Sequence, residues 1–234
     1  MSIISTSILS ANFANLKDEI KRIKNTDMIH IDVMDGIFVP NLTFGQVIVK
    51  TTRNILTDLN LNLKILSDVH LMIVNPHNHI KEFYGLGADS ITFHYEAYRN
   101  IEKCNETIKF IKNFGIKAGL AINPETVLPK EELKTLLTEG KPDILLIMGV
   151  HPGYSGQKFI DEVFEKIKNI KKAVDECNSD KNSDMKIAVD GGVKFWNVDK
   201  IIENGADIIV MGSEIFEGDP GKNIIKLKNK FCKK

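Results

Sequence analysis

His30 and Asp32 alternate with Ile29, Ile31 and Val33 in the run Ile-His-Ile-Asp-Val. Period two marks a strand with the branched apolar residues on one face and the imidazole and carboxylate on the other. The run Asp68-Val-His-Leu-Met72 repeats the pattern around His70, and Lys186-Ile-Ala-Val-Asp190 closes on Asp190. Taken alone, each reads equally well as a wetted edge strand. Taken together, two imidazoles and two carboxylates at strand ends suit one divalent ion, zinc first, with iron(II), manganese or cobalt also admitted. His77, His79 and His151 fall in loops or helix starts and carry no such reading, and His94, at another strand end, is intermediate.

Glycine and methionine add two further signals. Pro152-Gly-Tyr-Ser-Gly156, Asp190-Gly-Gly192 and Met211-Gly-Ser213 each follow an apolar run. Backbone amides in such turns bind phosphate. The chain has only three arginines, Arg22, Arg53 and Arg99, so amides are expected to supply most of that binding. Met34, Met72 and Met148 occupy matching strand-end positions, where they read as core filling or as an apolar cap that keeps water from the polar cluster.

The elements that must position these residues alternate. Strands are expected over 4–9, 28–33, 65–72, 90–94, 117–122, 143–149, 186–190 and 207–211, with helices in most of the gaps. Leu16, Ile20 and Ile23, and Phe164, Ile167, Ile170 and Val174, have helical spacing. The joints Gly87-Ala-Asp, Lys141-Pro-Asp and Gly205-Ala-Asp repeat where a helix stops and a strand begins. Residues 177–184 are expected as a polar surface loop. This pattern predicts a single (β/α)8 TIM barrel over residues 1–234 rather than an open doubly wound sheet, whose glycine-rich turn after the first strand is missing from Ser7-Ile-Leu-Ser-Ala-Asn12. In such a barrel the functional groups collect at the strand C-termini. Lys64, Lys117 and Lys186 stand instead at strand starts, which argues against a Schiff-base lysine.

Composition narrows the class. The 234 residues carry 31 basic and 31 acidic side chains, so no basic footprint points to nucleic acid. No apolar run is long enough to span a bilayer, and no membrane partner is expected. Cys104, Cys177 and Cys232 are odd in number and far apart, which favours a reducing cytoplasm over a disulfide framework. A homo-oligomer is expected.

The segments Ser7-Ile-Leu-Ser-Ala, His30-Ile-Asp-Val-Met-Asp-Gly-Ile-Phe-Val-Pro-Asn41, Asp68-Val-His-Leu-Met72, Pro152-Gly-Tyr-Ser-Gly-Gln-Lys-Phe159, Val189-Asp-Gly-Gly192 and Gly212-Ser-Glu-Ile-Phe216 resemble the ribulose-phosphate 3-epimerase family along essentially the whole chain. The resemblance implies an isomerase of the pentose phosphate pathway that interconverts D-ribulose 5-phosphate and D-xylulose 5-phosphate. It implies His30, Asp32, His70 and Asp190 as ligands of one metal ion, with Asp32 and Asp190 also the catalytic acid/base pair. Ser7, His70, Gly153, Tyr154, Ser155, Gly156, Asp190, Gly191, Gly192, Gly212 and Ser213 are implied as contacts to the sugar phosphate. Two positions depart from the family pattern: Tyr154-Ser155 replaces a Phe-Gly pair, and Glu214 replaces a small residue. The Glu214 carboxylate is expected to point away from the phosphate.

Overall fold

The computed structural model describes residues 2–154, 156–177 and 185–231, so Ser155 and most of the expected 177–184 loop lie outside the described residues. Eight strands close in sequence order into a parallel barrel: β1 (Ile3–Ser7), β2 (Met28–Met34), β3 (Leu66–Met72), β4 (Ser90–His94), β5 (Lys117–Ile122), β6 (Ile144–Met148), β7 (Lys186–Asp190) and β8 (Ile208–Met211). Helices α1 (Leu16–Arg22), α2 (Gln46–Asp58), α3 (Ile80–Gly85), α4 (Ile101–Lys112), α5 (Lys130–Thr135), α6 (Glu162–Cys177), α7 (Val198–Glu203), α8 (Ser213–Phe216) and α9 (Pro220–Phe231) fill the connections.

Each expected strand falls within about two residues of an observed one, inside the usual uncertainty of element ends. The largest difference is at β1, expected to run to residue 9. It stops at Ser7 because the Ser7 hydroxyl accepts the Leu9 amide at 3.3 Å and turns the chain into a short 3-10 segment, Ile8–Ser10.

Helix α4 shows how the outer layer forms. Asn100 caps its start by accepting the Lys103 amide at 2.8 Å. Ile101, Cys104, Ile108 and Ile111 then recur at helical spacing and are all buried, while Lys109 and Lys112 lie in the last turn. On α6, Phe164, Ile167, Ile170 and Val174 form the same kind of inner face. Ile29, Ile31 and Val33 of β2 join these helix residues in one continuous core.

Inside the barrel a second, smaller cluster is built from Met28, Ile144, Leu146, Ala188, Ile208 and Val210. This apolar plug fills the barrel interior, and His30, Asp32, His70 and Asp190 stand in the same inward rows nearer the strand C-termini. Parallel register then sets neighbours there: Ser7 beside His30, His30 beside Asp68, Asp32 beside His70, and Met148 beside Asp190.

The repeated joint has a structural cause. Asp27, Asp89, Asp143 and Asp207 each precede a strand and accept the amide of Ile4, Ser67, Ala118 or Ile187 on the neighbouring strand, at 2.8–3.0 Å. Lys228, Arg53 and Lys112 pair with the first three. The three strand-start lysines keep to this end, away from the polar cluster.

Candidate active site

His30, Asp32, His70 and Asp190 converge above the plug from β2, β3 and β7, with one donor atom from each lying within 4.8 Å of all the others. His30 Nε2 stands 3.2 Å from Asp32 Oδ1, 3.2 Å from His70 Nδ1 and 3.7 Å from Asp190 Oδ2. His70 Nδ1 is 3.1 Å from Asp32 Oδ1 and 3.9 Å from Asp190 Oδ2. Donors bound at about 2.0–2.1 Å to a tetrahedral ion stand roughly 3.3 Å apart. The observed spacings bracket that edge length, so the four groups fit a divalent ion of zinc's size with little rearrangement.

Outer partners orient the donors. His30 Nδ1 bonds Asp68 Oδ2 at 2.8 Å, which turns Nε2 toward the centre. Ser7 Oγ donates to Asp32 Oδ2 at 2.7 Å and leaves Oδ1 facing the histidines. His70 Nε2 meets His94 Nε2 at 2.8 Å, and the two rings stack with centroids 5.0 Å apart. His94 Nδ1 in turn meets Glu96 Oε2 at 3.1 Å.

The electrostatics of the metal-free cluster follow from burial and crowding. Burial opposes a charge on His30, but the Asp32 and Asp68 carboxylates override it and hold the imidazole well above its usual range. Burial likewise opposes ionised Asp32, yet His30 and His70 keep that carboxyl far below the ordinary value. Asp190 goes the other way, pushed up to about 7 by burial and by the Asp32 charge. Burial also takes His70 down to about 4, with the neighbouring imidazoles adding to the effect against the pull of Asp32. Two carboxylates in one pocket thus differ sharply in proton affinity, an arrangement suited to proton transfer.

Around the cluster opens a cavity lined by Ser7, Asp32, Asp190 and the three methionines Met34, Met72 and Met148, each no more than 5% exposed. The methionines therefore face the cavity and pack as well: Met34 and Met72 with Val39, and Met148 with the inner plug. The same cavity is lined by Gly153, Tyr154, Gly156, Gly191, Gly192, Gly212 and Ser213, so the three glycine turns share one wall. Gly192 has φ +66°, and a Cβ there would lie 2.6 Å from the Phe159 amide nitrogen, so neither the conformation nor the space suits another residue. Asn41 Nδ2 donates to the Gly153 carbonyl at 2.8 Å and ties the β2 loop to the β6 loop.

Every expected site residue among the described ones is brought to this mouth. Sequence reasoning gave no role to three others, Asp68, Glu96 and Lys194, and left His94 intermediate. Asp68 stood in a quoted strand without a role, and His94 and Glu96 share the short run His94-Tyr-Glu, whose two-residue spacing was the available signal. Lys194 follows Asp190-Gly-Gly192 by two residues and lines the cavity, its Nζ donating to Ser213 Oγ at 3.0 Å and pairing with Glu214 Oε2 at 3.1 Å. Glu214 also accepts the Phe195 amide, at 3.3 Å, and is not part of the cavity wall. It is thus turned aside as expected, and a cation neutralises it.

A closed eight-strand barrel with two buried carboxylates, a donor set that could hold a metal ion and glycine turns at one mouth has the build of an enzyme of the (β/α)8 class. The chain matches the ribulose-phosphate 3 epimerase family over residues 3–216. It is 42% identical over 228 residues to ribulose-phosphate 3-epimerase of Bacillus subtilis, covering 96% of this chain and 97% of that one. It is 37% identical over 225 residues to the Escherichia coli K12 protein of the same name, covering 95% and 92%. Among solved structures it resembles 3-hexulose-6-phosphate synthase from Salmonella typhimurium, with a TM-score of 0.70, 16% identity, and 100% and 99% of the two chains covered. That likeness shows the fold alone. The chain belongs to the ribulose-phosphate 3-epimerase family and is an isomerase.

Proposed function

We propose that this protein inverts C3 of D-ribulose 5-phosphate to give D-xylulose 5-phosphate, and the reverse, through a planar cis-enediolate. The observation that carries the reading is the pair Asp32 and Asp190, carried on strands three places apart in the ring and both lining the one cavity. One carboxylate removes the C3 proton from one face and the other delivers a proton to the opposite face. Ser7 fixes the rotamer of Asp32, and the three methionines exclude water that would compete for the proton.

His30, Asp32, His70 and Asp190 would hold a divalent ion, zinc in the first instance, which would supply Lewis-acid stabilisation of developing negative charge. The amides at Gly153, Tyr154, Gly156, Gly191, Gly192, Gly212 and Ser213 take the phosphate end. Lys194, the one cationic side chain of the cavity wall among the described residues, adds a charge there.

The reading places the enzyme in the pentose phosphate pathway and in the cytoplasm, supported by the family and by the buried, free thiol of Cys104. A homo-oligomer is supported by exposed Ile37, Leu42 and Val47 between β2 and the first turn of α2.

The test is conversion of ribulose 5-phosphate in deuterium oxide, followed by NMR. Xylulose 5-phosphate carrying deuterium at C3 is expected. Cleavage products, or turnover only of six-carbon ketose phosphates, would overturn the assignment.

A further inference from the structure

We propose that Glu96, which touches neither the cavity nor any of the four donor groups, is a positioning residue that sets which nitrogen of His70 carries the proton, leaving Nδ1 bare toward the metal. The proposal rests on the metal reading above and extends it two hydrogen bonds outward.

The chain of contacts runs Glu96 Oε2 to His94 Nδ1 at 3.1 Å, then His94 Nε2 to His70 Nε2 at 2.8 Å, with His70 Nδ1 left for the centre. A neutral imidazole donates from one nitrogen and accepts at the other. Two directions are therefore available to the chain, and they differ at its outer end. If His70 donates outward from Nε2, His94 accepts at Nε2 and donates from Nδ1 to Glu96, so every contact pairs one donor with one acceptor. If the order is reversed, His94 Nδ1 turns a lone pair toward a carboxylate oxygen, and His70 Nδ1 carries a proton where a metal donor is needed.

Glu96 enforces the first direction because its own state is held from the other side. The Asn123 amide donates to its Oε1 at 2.8 Å, and the Thr126 hydroxyl donates to the same oxygen. That loop is itself clamped by Lys166, whose Nζ donates to the carbonyls of Asn123, Pro124 and Thr126. A carboxylate fed by two donors, with a side chain 8% exposed, remains an acceptor toward His94. His30 gets its orientation from Asp68 in one bond; His70 gets the same service through His94.

The test reads tautomers and metal affinity, neither of which depends on the substrate. In metal-free protein labelled with 15N-histidine, long-range NMR is expected to show His70 protonated at Nε2 and His94 at Nδ1. Glu96→Ala should mix the tautomers and weaken zinc binding about 10–100-fold in competition with a chromophoric chelator. Glu96→Gln has one acceptor oxygen, which the Asn123 and Thr126 donors claim, so its NH2 turns to His94 Nδ1 and should reverse the relay and weaken zinc binding as Glu96→Ala does. Thr126→Ala, which removes one of the two donors to Glu96 but leaves the Asn123 amide and the relay, should weaken zinc binding much less than Glu96→Ala. Should Glu96→Ala not fold, His94→Phe preserves the ring stack and removes the relay, and the same loss is expected. Wild-type zinc affinity and His70 tautomer in Glu96→Ala or His94→Phe would overturn the proposal, as would an equal loss in Thr126→Ala. A protein that showed the tautomers but failed to epimerise ribulose 5-phosphate would refute the substrate reading and leave this one standing.

Discussion

Asp190 is the side chain at which burial and charge act most visibly on the chemistry. With its carboxyl raised to about 7, it keeps a proton that Asp32, beside His30 and His70, has lost. Asp190→Asn removes one of the two proposed proton carriers and should lower turnover about 100- to 10,000-fold. Solvent exchange of the C3 proton should fall further from one epimer than from the other, as NMR in deuterium oxide would show. The same groups fix how metal binding responds to pH. His30 and Asp190 both carry protons below pH 7 in the metal-free protein, and both must release them to become ligands. Acid therefore opposes binding: the zinc association constant should rise at least ~10-fold per pH unit up to about pH 7, measurable by chelator competition at several pH values.

At the scale of the element, aspartates tie β1, β3, β5 and β7 at one end of the barrel, and the site lies at the other. Asp89 shows the tie: its Oδ2 accepts the Ser67 amide at 2.8 Å and the Arg53 guanidinium at 2.9 Å. Asp89→Ala leaves a strand amide without its partner and should destabilise the fold by about 1–3 kcal/mol, read as a lower urea midpoint at unchanged slope. Catalysis should survive, because β3 keeps its inward residues. The βα turns at the opposite mouth respond differently. Gly192→Ala places a Cβ against the Phe159 backbone at positive φ, at a cost of about 1–3 kcal/mol. Its displaced amides should raise KM for the sugar phosphate, in steady-state kinetics, more than they lower kcat.

For the whole molecule, the donor set joins strands that are distant in sequence but close round the ring, so an ion bound there crosslinks β2, β3 and β7. Binding to the folded state alone adds about 2.7 kcal/mol when free metal is 100 times its Kd. For a chain of this size that corresponds to a rise in Tm of roughly 5–10 °C, which calorimetry of zinc-loaded against metal-free protein would detect.

Strand periodicity, the helical faces of α4 and α6 and the glycine turns were legible in the chain because they are local. Alternation of apolar and polar residues fixes which side chains turn inward, and that alone put His30 and Asp32 on one face. The resemblance then supplied their roles. Local pattern did not reveal that Asp68 holds His30, that Glu96 acts on His70 through His94, or that Lys194 neutralises Glu214. Each of these pairs residues from separate strands or loops, and their distances are set by barrel closure and register, which no window of sequence contains. The residue types and their order along each strand belong to the sequence. Only the closed ring decided which of them share a hydrogen bond, because bringing together residues 20 to 160 positions apart is the work of the tertiary fold.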